Sequence, residues 1–353
     1  MNGLICQVKA GRQLTLNVQK AAVAGNPDAI KTIQALYFKP MAYIETSSNK
    51  DGLAMIQFSI PGLTLRLPFN MLFCNLMRTA PELFFDDVRI NSMYGCFPDC
   101  IMNGGRIVYG KRYTYDQIAE TFDRINEAGM IVRLTLTNMF ICPEQFEDEY
   151  CQTILKAAQG RNVEAIVYSH ELGDYISSQF HLKKTLSTTR ALSGVEELNE
   201  MLDRYNMVVL NFNHNKDDDF LKQVKDPARL EVMPNELCEP GCPIRQKHYE
   251  HNSRCQLSHE FTPFGCNRQH ESSGYSTRTD QSPTILGNKD IRRLNTIYGI
   301  SNFKIVGRIL YVRLSLEPYI YYFVRQEYHT LVSKIIKKNL ESSPSLSALS
   351  FNQ

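Results

Sequence analysis

Tyr115–Gly129 (YDQIAETFDRINEAG) and Ile131–Leu136 (IVRLTL) together decide how this chain folds. Ile118, Phe122 and Ile125 recur at helical spacing, and Gly129 suits the left-handed turn that ends a helix. The apolar run after it reads as a buried strand that delivers Thr137 and Asn138 at its end. The unit then repeats. Cys151–Ala158 reads as helix and Val163–Tyr168 as strand, ending in Ser169 and His170. Further strands are predicted at Leu182–Leu186, Met207–Leu210, Leu230–Met233 and Phe303–Val306. Helices are predicted over Gly194–Tyr205 and Asp290–Tyr298, and a last one over roughly 317–340.

Strands alternating with helices at this spacing predict a mainly parallel α/β sheet. Polar residues recur just past strand ends: Asn91, Asn138, His170, Ser187, Asn213, Asn235 and Arg308. That is the pattern of an active site on the C-terminal face of a (β/α) TIM-type barrel, complete or incomplete. No Gly-x-Gly-x-x-Gly or Walker-type loop supports an open, doubly wound sheet. Residues 1–66 read as an N-terminal accessory segment with a helix near 28–36 and one or two strands in 54–67. Residues 67–330 are expected to form the barrel, with a cysteine-bearing loop at 235–285, and 331–353 a helix end and a Ser-rich tail.

The chain has 353 residues, 43% of them hydrophobic, enough for a large core. With 39 basic and 37 acidic side chains, the net charge of +2 offers no bulk attraction to polyanions. Only local basic groups such as Lys334, Lys337 and Lys338 leave room for a nucleic-acid contact. No apolar run reaches membrane-spanning length, and residues 1–16 lack the apolar centre of a signal peptide. The expected compartment is the cytoplasm, with no membrane partner. Ten cysteines are too few and too unevenly spread for a disulfide scaffold, and clustered thiols in a reducing compartment point to metal or to chemistry.

Asn235–Tyr249 (NELCEPGCPIRQKHY) concentrates that chemistry. Glu239-Pro240-Gly241 is turn chemistry that lets Cys238 and Cys242 point at one centre. With Cys255 and Cys266 they make a four-thiol set suited to an iron–sulfur cluster, whose inorganic core tolerates irregular spacing. Zinc is the alternative metal, and His248 the alternative to Cys255 as a ligand. His170, His214 and Glu236 are candidates for proton transfer. Lys304, inside an apolar strand, calls for a carboxylate partner such as Glu236, or else reads as a Schiff-base amine. Arg106, Arg245 and Arg308 are candidates for holding an anion, with Asn103, Asn138, Asn213 and Asn235 as further substrate contacts. Asp217–Asp219 reads as a solvated helix start.

Gly299-Ile300-Ser301-Asn302-Phe303-Lys304-Ile305-Val306-Gly307-Arg308 resembles the Gly-x-x-x-hydrophobic-Lys-Ile-Glu-Gly-Arg strand of the collagenase-like peptidase family, the unclassified peptidase family numbered thirty-two. The cysteine region from Glu236 to Cys266 and the barrel rhythm add to that resemblance, over roughly residues 67–330. It departs in the closer spacing of Cys238 and Cys242 and in Val306, where the family has glutamate. The resemblance implies a (β/α) barrel and a 4Fe-4S cluster on four cysteines. It also implies kinship with prephenate-dependent, oxygen-independent hydroxylation of RNA or ubiquinone precursors. The expectation is therefore an iron–sulfur-dependent redox or hydroxyl-transfer enzyme with a small anionic co-substrate and an RNA or peptide substrate. Alternatives are a peptidase or Schiff-base lyase on the same barrel, or a zinc-stabilised module without catalysis.

Overall fold

The computed structural model describes residues 54–266, 279, 282–307 and 316–341. Eight parallel strands close into a barrel in simple sequence order: β1 (Ile56–Pro61), β2 (Val88–Gly95), β3 (Ile131–Leu136), β4 (Val163–Val167), β5 (Lys183–Leu186), β6 (Met207–Val209), β7 (Leu230–Val232) and β8 (Asn302–Lys304). Closure is made by Gln57, Phe58 and Ser59 of β1 pairing with Asn302, Phe303 and Lys304 of β8. The barrel is complete.

Around it run α1 (Leu67–Thr79), α2 (Tyr115–Glu127), α3 (Glu149–Ala158), α4 (His170–Phe180), α5 (Val195–Arg204), the single turn α6 (Asp218–Leu221), α7 (Arg245–Ser258), α8 (Asn288–Tyr298), α9 (Glu317–Phe323) and α10 (His329–Glu341). Local chemistry explains the well-formed ends. Thr114 and Gln117 make a reciprocal capping box on α2, while Asp148 and Ser169 cap α3 and α4. Gly129 and Gly299 end α2 and α8 at φ +78° and +69°.

Three expectations are corrected. The stretch assigned to the accessory segment holds β1, so the barrel begins well before residue 67. Its pairing with a strand near the far end of the chain leaves no local signature. β2 runs on to Gly95, and its register with β1 steps from Phe58–Ile90 to Ser59–Ser92, leaving Asn91 as the bulged residue and not a strand end. The single final helix is two, α9 and α10, broken where Val324 bridges to Phe84 and Arg325 N–H donates to the Leu83 carbonyl at 3.0 Å. The helix expected near 28–36 and the Ser-rich tail beyond 341 lie outside the described residues.

α9 covers β1 and seals the junction with an aromatic cluster. Phe58 meets Phe323 at a centroid distance of 4.7 Å, and Tyr319 meets Phe69 and Phe73 edge-on at 5.0 and 5.1 Å. No helix among the described residues is long and apolar enough to cross a membrane.

Candidate functional site

The inside of the barrel carries charge where aliphatic layers are usual. Alternate strands β1, β3, β5 and β7 contribute Ser59, Arg133, Thr185 and Glu231, all buried. Arg133 donates to Glu231 Oε1, to Thr185 Oγ1 at 2.7 Å and to Ser59 Oγ at 3.1 Å. Ser59 in turn donates to Glu231 Oε1 at 2.6 Å, and its hydroxyl lies 2.7 Å from that of Ser92. Lys304, the last residue of β8, places Nζ 3.7 Å from Glu231 Oε2 and 4.2 Å from the centroid of the Tyr94 ring. The carboxylate partner of Lys304 is therefore Glu231, not Glu236. Both belong to the β7 region, but Glu231 sits inside the strand and faces the barrel interior.

Electrostatics follow from this crowding. Burial alone would raise the Glu231 carboxyl. The Arg133 and Lys304 charges and the Ser59 and Arg133 hydrogen bonds outweigh it and hold the group below its ordinary range. Burial pulls the Lys304 ammonium down to about 8, against the attraction of Glu231 and with the help of Arg133. Burial likewise lifts the Tyr94 phenol to about 12, opposed by Arg106 and Arg66. The Tyr94 hydroxyl donates to the Ile305 carbonyl at 2.7 Å.

Above this floor, two guanidiniums converge on Gly307, three residues past Lys304. Arg106 donates to the Gly307 carbonyl. Arg66 lies so close that a Cβ at Gly307 would stand 3.3 Å from its Nη1 and 2.5 Å from Pro61. Glycine is needed there for the close approach of the β8 and β1 ends. Arg308 lies outside the described residues.

At the end of β7, Asn235 is spent on architecture: it accepts from Val306 N–H at 2.7 Å and donates to Val306 C=O at 3.2 Å, tying β7 to β8. Glu236 is buried and accepts from the N–H groups of Leu237 and Cys238 at 2.9 and 3.0 Å. Its other oxygen accepts from Arg245 at 2.8 Å, and the Arg245 guanidinium lies 4.5 Å from the Phe212 ring centroid. Glu236 and Arg245 are thus each other's partners.

Arg245 opens α7, which at 14 residues spans about 21 Å and crosses the mouth from β7 to the loops after β2 and β3 on the far side. There Gln256 accepts from Val108 N–H at 2.8 Å and donates to the Cys100 carbonyl at 3.1 Å. Ser253 accepts from Met139 N–H at 3.2 Å, and Asn252 donates to the Gly105 carbonyl at 3.3 Å. The Asn138 amide donates to the carbonyls of Ile101, Asn103 and Ser253, and Asn103 donates to the Arg106 carbonyl. Asn103 and Asn138 therefore set the loops that receive α7. Gly104 belongs to the same joint, since a Cβ there would meet the Asn138 Cα at 2.4 Å.

The remaining candidates are dispersed. His170 meets the Tyr205 hydroxyl beside the outer helices, its ring pulled down by burial and by Arg190 and Arg204. His214 stacks on Phe220 at 3.8 Å and contacts Asp217 at 3.1 Å, and Asn213 is exposed, accepting from Gly241 N–H at 3.0 Å. Cys238 is buried with Val209, Phe212 and Met233. Cys242 and Cys266 are half-buried, and Cys255 lies 3.4 Å from His251 Nε2. His248 stacks on Phe264 at 4.6 Å. Among the described residues, no three His, Cys, Asp or Glu side chains are gathered as a metal ion requires.

No protein-family model matches the sequence, and no curated protein matches it. Among solved structures the chain is similar to a U32 peptidase, Mk0906. The identity is 10% and the TM-score 0.47, over 76% of this chain and 99% of that one.

Sequence reasoning passed over Arg66, Tyr94, Arg133 and Glu231. Arg133 and Glu231 did carry a signal, a lone charge in each of the apolar runs IVRLTL and LEV, of the kind that singled out Lys304.

Proposed function

We propose that the protein is a barrel enzyme that holds a small anionic substrate under α7, on the β8–β1–β2 side of the mouth. The observation that carries this is the convergence of Arg66 and Arg106 on Gly307, beside Tyr94 and above Lys304. Forked donors of this kind suit a carboxylate or phosphate. The surroundings support the reading. Buried ions cost desolvation and are poor structural filler, while titratable groups pushed off their ordinary range gather at functional sites. Arg66 and Arg106 grip the anion, Tyr94 shapes the floor, and Lys304 is the group nearest the floor that exchanges a proton near neutral pH. Glu236 fixes Arg245 and with it the start of α7, the helix that would lie over the bound anion. The element Gly299–Gly307, through which the chain resembles the collagenase-like peptidase family, supplies Lys304 and Gly307.

An iron–sulfur cluster or zinc on Cys238, Cys242, Cys255 and Cys266 supplies no step here. Iron and zinc content after oxygen-free purification tests that idea separately.

Calorimetric titration with pyruvate, citrate and inorganic phosphate, with glycerol as neutral control, tests the anion site. At least one anion is expected to bind, weakened by about tenfold or more (~1.4 kcal/mol) in Arg66→Ala and Arg106→Ala. The proposal fails if no anion binds, or if both variants bind as the parent does.

A further inference from the structure

We infer that Lys304 is an imine-forming amine that condenses with the carbonyl of a 2-oxo acid whose carboxylate rests on Arg66 and Arg106. This deepens the anion-site reading and rests on it.

Three observations carry it. Lys304 ends its strand on the face where barrels place their chemistry, three residues before the Gly307 on which the two guanidiniums converge, and its Nζ lies 4.2 Å from the ring of Tyr94, the phenol on which both guanidinium charges act. Its ion pair is loose. Arg133 takes Glu231 Oε1 in direct contact and has Glu164 at 3.5 Å on its other side, whereas Lys304 stands 3.7 Å from Oε2. Glu231 Oε2 is buried and makes no hydrogen bond among the described residues, so a proton acceptor faces the amine without being saturated. The groups that face Lys304 are Glu231, Arg133 and the Tyr94 ring. Burial and Arg133 favour the neutral amine that nucleophilic attack requires.

The chemistry balances without a further reactant. The ammonium passes a proton to Glu231 Oε2. The Nζ lone pair forms the C–N bond as the carbonyl π bond breaks onto oxygen, and the proton that the nitrogen then sheds moves to that oxygen, giving a carbinolamine. Glu231 returns its proton to the hydroxyl, which leaves as water while the nitrogen lone pair forms the C=N bond. The sum is ammonium plus ketone giving iminium plus water.

The experiment uses the full chain with pyruvate and sodium borohydride, which adds hydride to the C=N bond and leaves a stable secondary amine. Intact mass and peptide mapping then locate the adduct. One adduct is expected, on Lys304, absent in Lys304→Arg, which keeps the charge, and slower to form in Arg106→Ala. Peptide mapping of the parent protein stands alone if Lys304→Arg does not fold. The trapping rate is expected to rise as pH passes about 8. Adducts spread over surface lysines and unchanged in Lys304→Arg would overturn the inference. So would no adduct at all in protein that still binds pyruvate by calorimetry, an outcome that leaves the anion site standing. Equal trapping of acetaldehyde and pyruvate, indifferent to Arg106→Ala, would instead keep the amine and remove the anion site.

Discussion

Arg133 on β3 and Glu231 on β7 meet as a direct ion pair across the full width of the barrel, from strands four places apart in an eight-stranded ring. Each is at most 3% exposed, so neither charge is relieved by water. Taking two ions out of water costs several kcal/mol apiece, and only close geometry with further hydrogen bonds offsets it. Ser59 and Thr185 provide those bonds.

Removing one partner should therefore be severe. Glu231→Ala leaves Lys304 without the carboxylate it faces and Arg133 with the more distant Glu164 at 3.5 Å in place of its direct partner, and is expected to lower stability by about 3–5 kcal/mol. Denaturant midpoints measure it. A loss within about 0.5 kcal/mol, the range of ordinary surface changes, would mean that water reaches the pair.

Stability should also respond to pH through Lys304. Its folded value of about 8 lies below the 10.5 of the unfolded chain, so between these values the unfolded state binds the extra proton. Stability from this group then rises with pH across that window. Tyr94, lifted to about 12 by burial, works the other way only once the unfolded phenol ionises near 10. Melting temperatures from about pH 8 to 10 should climb in the parent relative to Lys304→Met. A flat difference would place the amine in water.

Gly104 tests the joint beneath α7. An alanine methyl would stand 2.4 Å from the Asn138 Cα and 2.6 Å from Ser253 Oγ, and backbone cannot step aside as a side chain can. Gly104→Ala is expected to cost about 1–3 kcal/mol. Gly265→Ala, with nothing within 4 Å, should be close to neutral in the same thermal melts.

Gln256→Ala should loosen the far anchor of α7. It leaves the Val108 N–H and the Cys100 carbonyl without their amide partner, a loss of about 1–3 kcal/mol for buried groups. Amide exchange at Val108 should quicken while β3 and β4 stay protected. Unchanged exchange there would show that the roof is held elsewhere.

Much of the scaffold was legible because its causes are local. Ile118, Phe122 and Ile125 form one buried face of α2, and Thr114 and Gly129 bound that helix as their chemistry requires. Lys304 was legible as a charge that needed a carboxylate, but the choice of Glu231 over Glu236 depends on which side of β7 faces inward. Asn103, Asn138 and Asn235 lie near the mouth, yet their amides bind backbone, a distinction that no residue type carries in itself.

The sequence by itself determined the alternation of strand and helix, the helix caps and the presence of unusual charges in apolar strands, since periodicity and capping act within a few residues. Only the tertiary structure decided that β1 closes the ring against β8, that Arg133, Glu231 and Lys304 share one interior, and that α7 spans the mouth. Those contacts join residues far apart in the chain, and their energies come from excluding water from charges that the sequence shows one at a time.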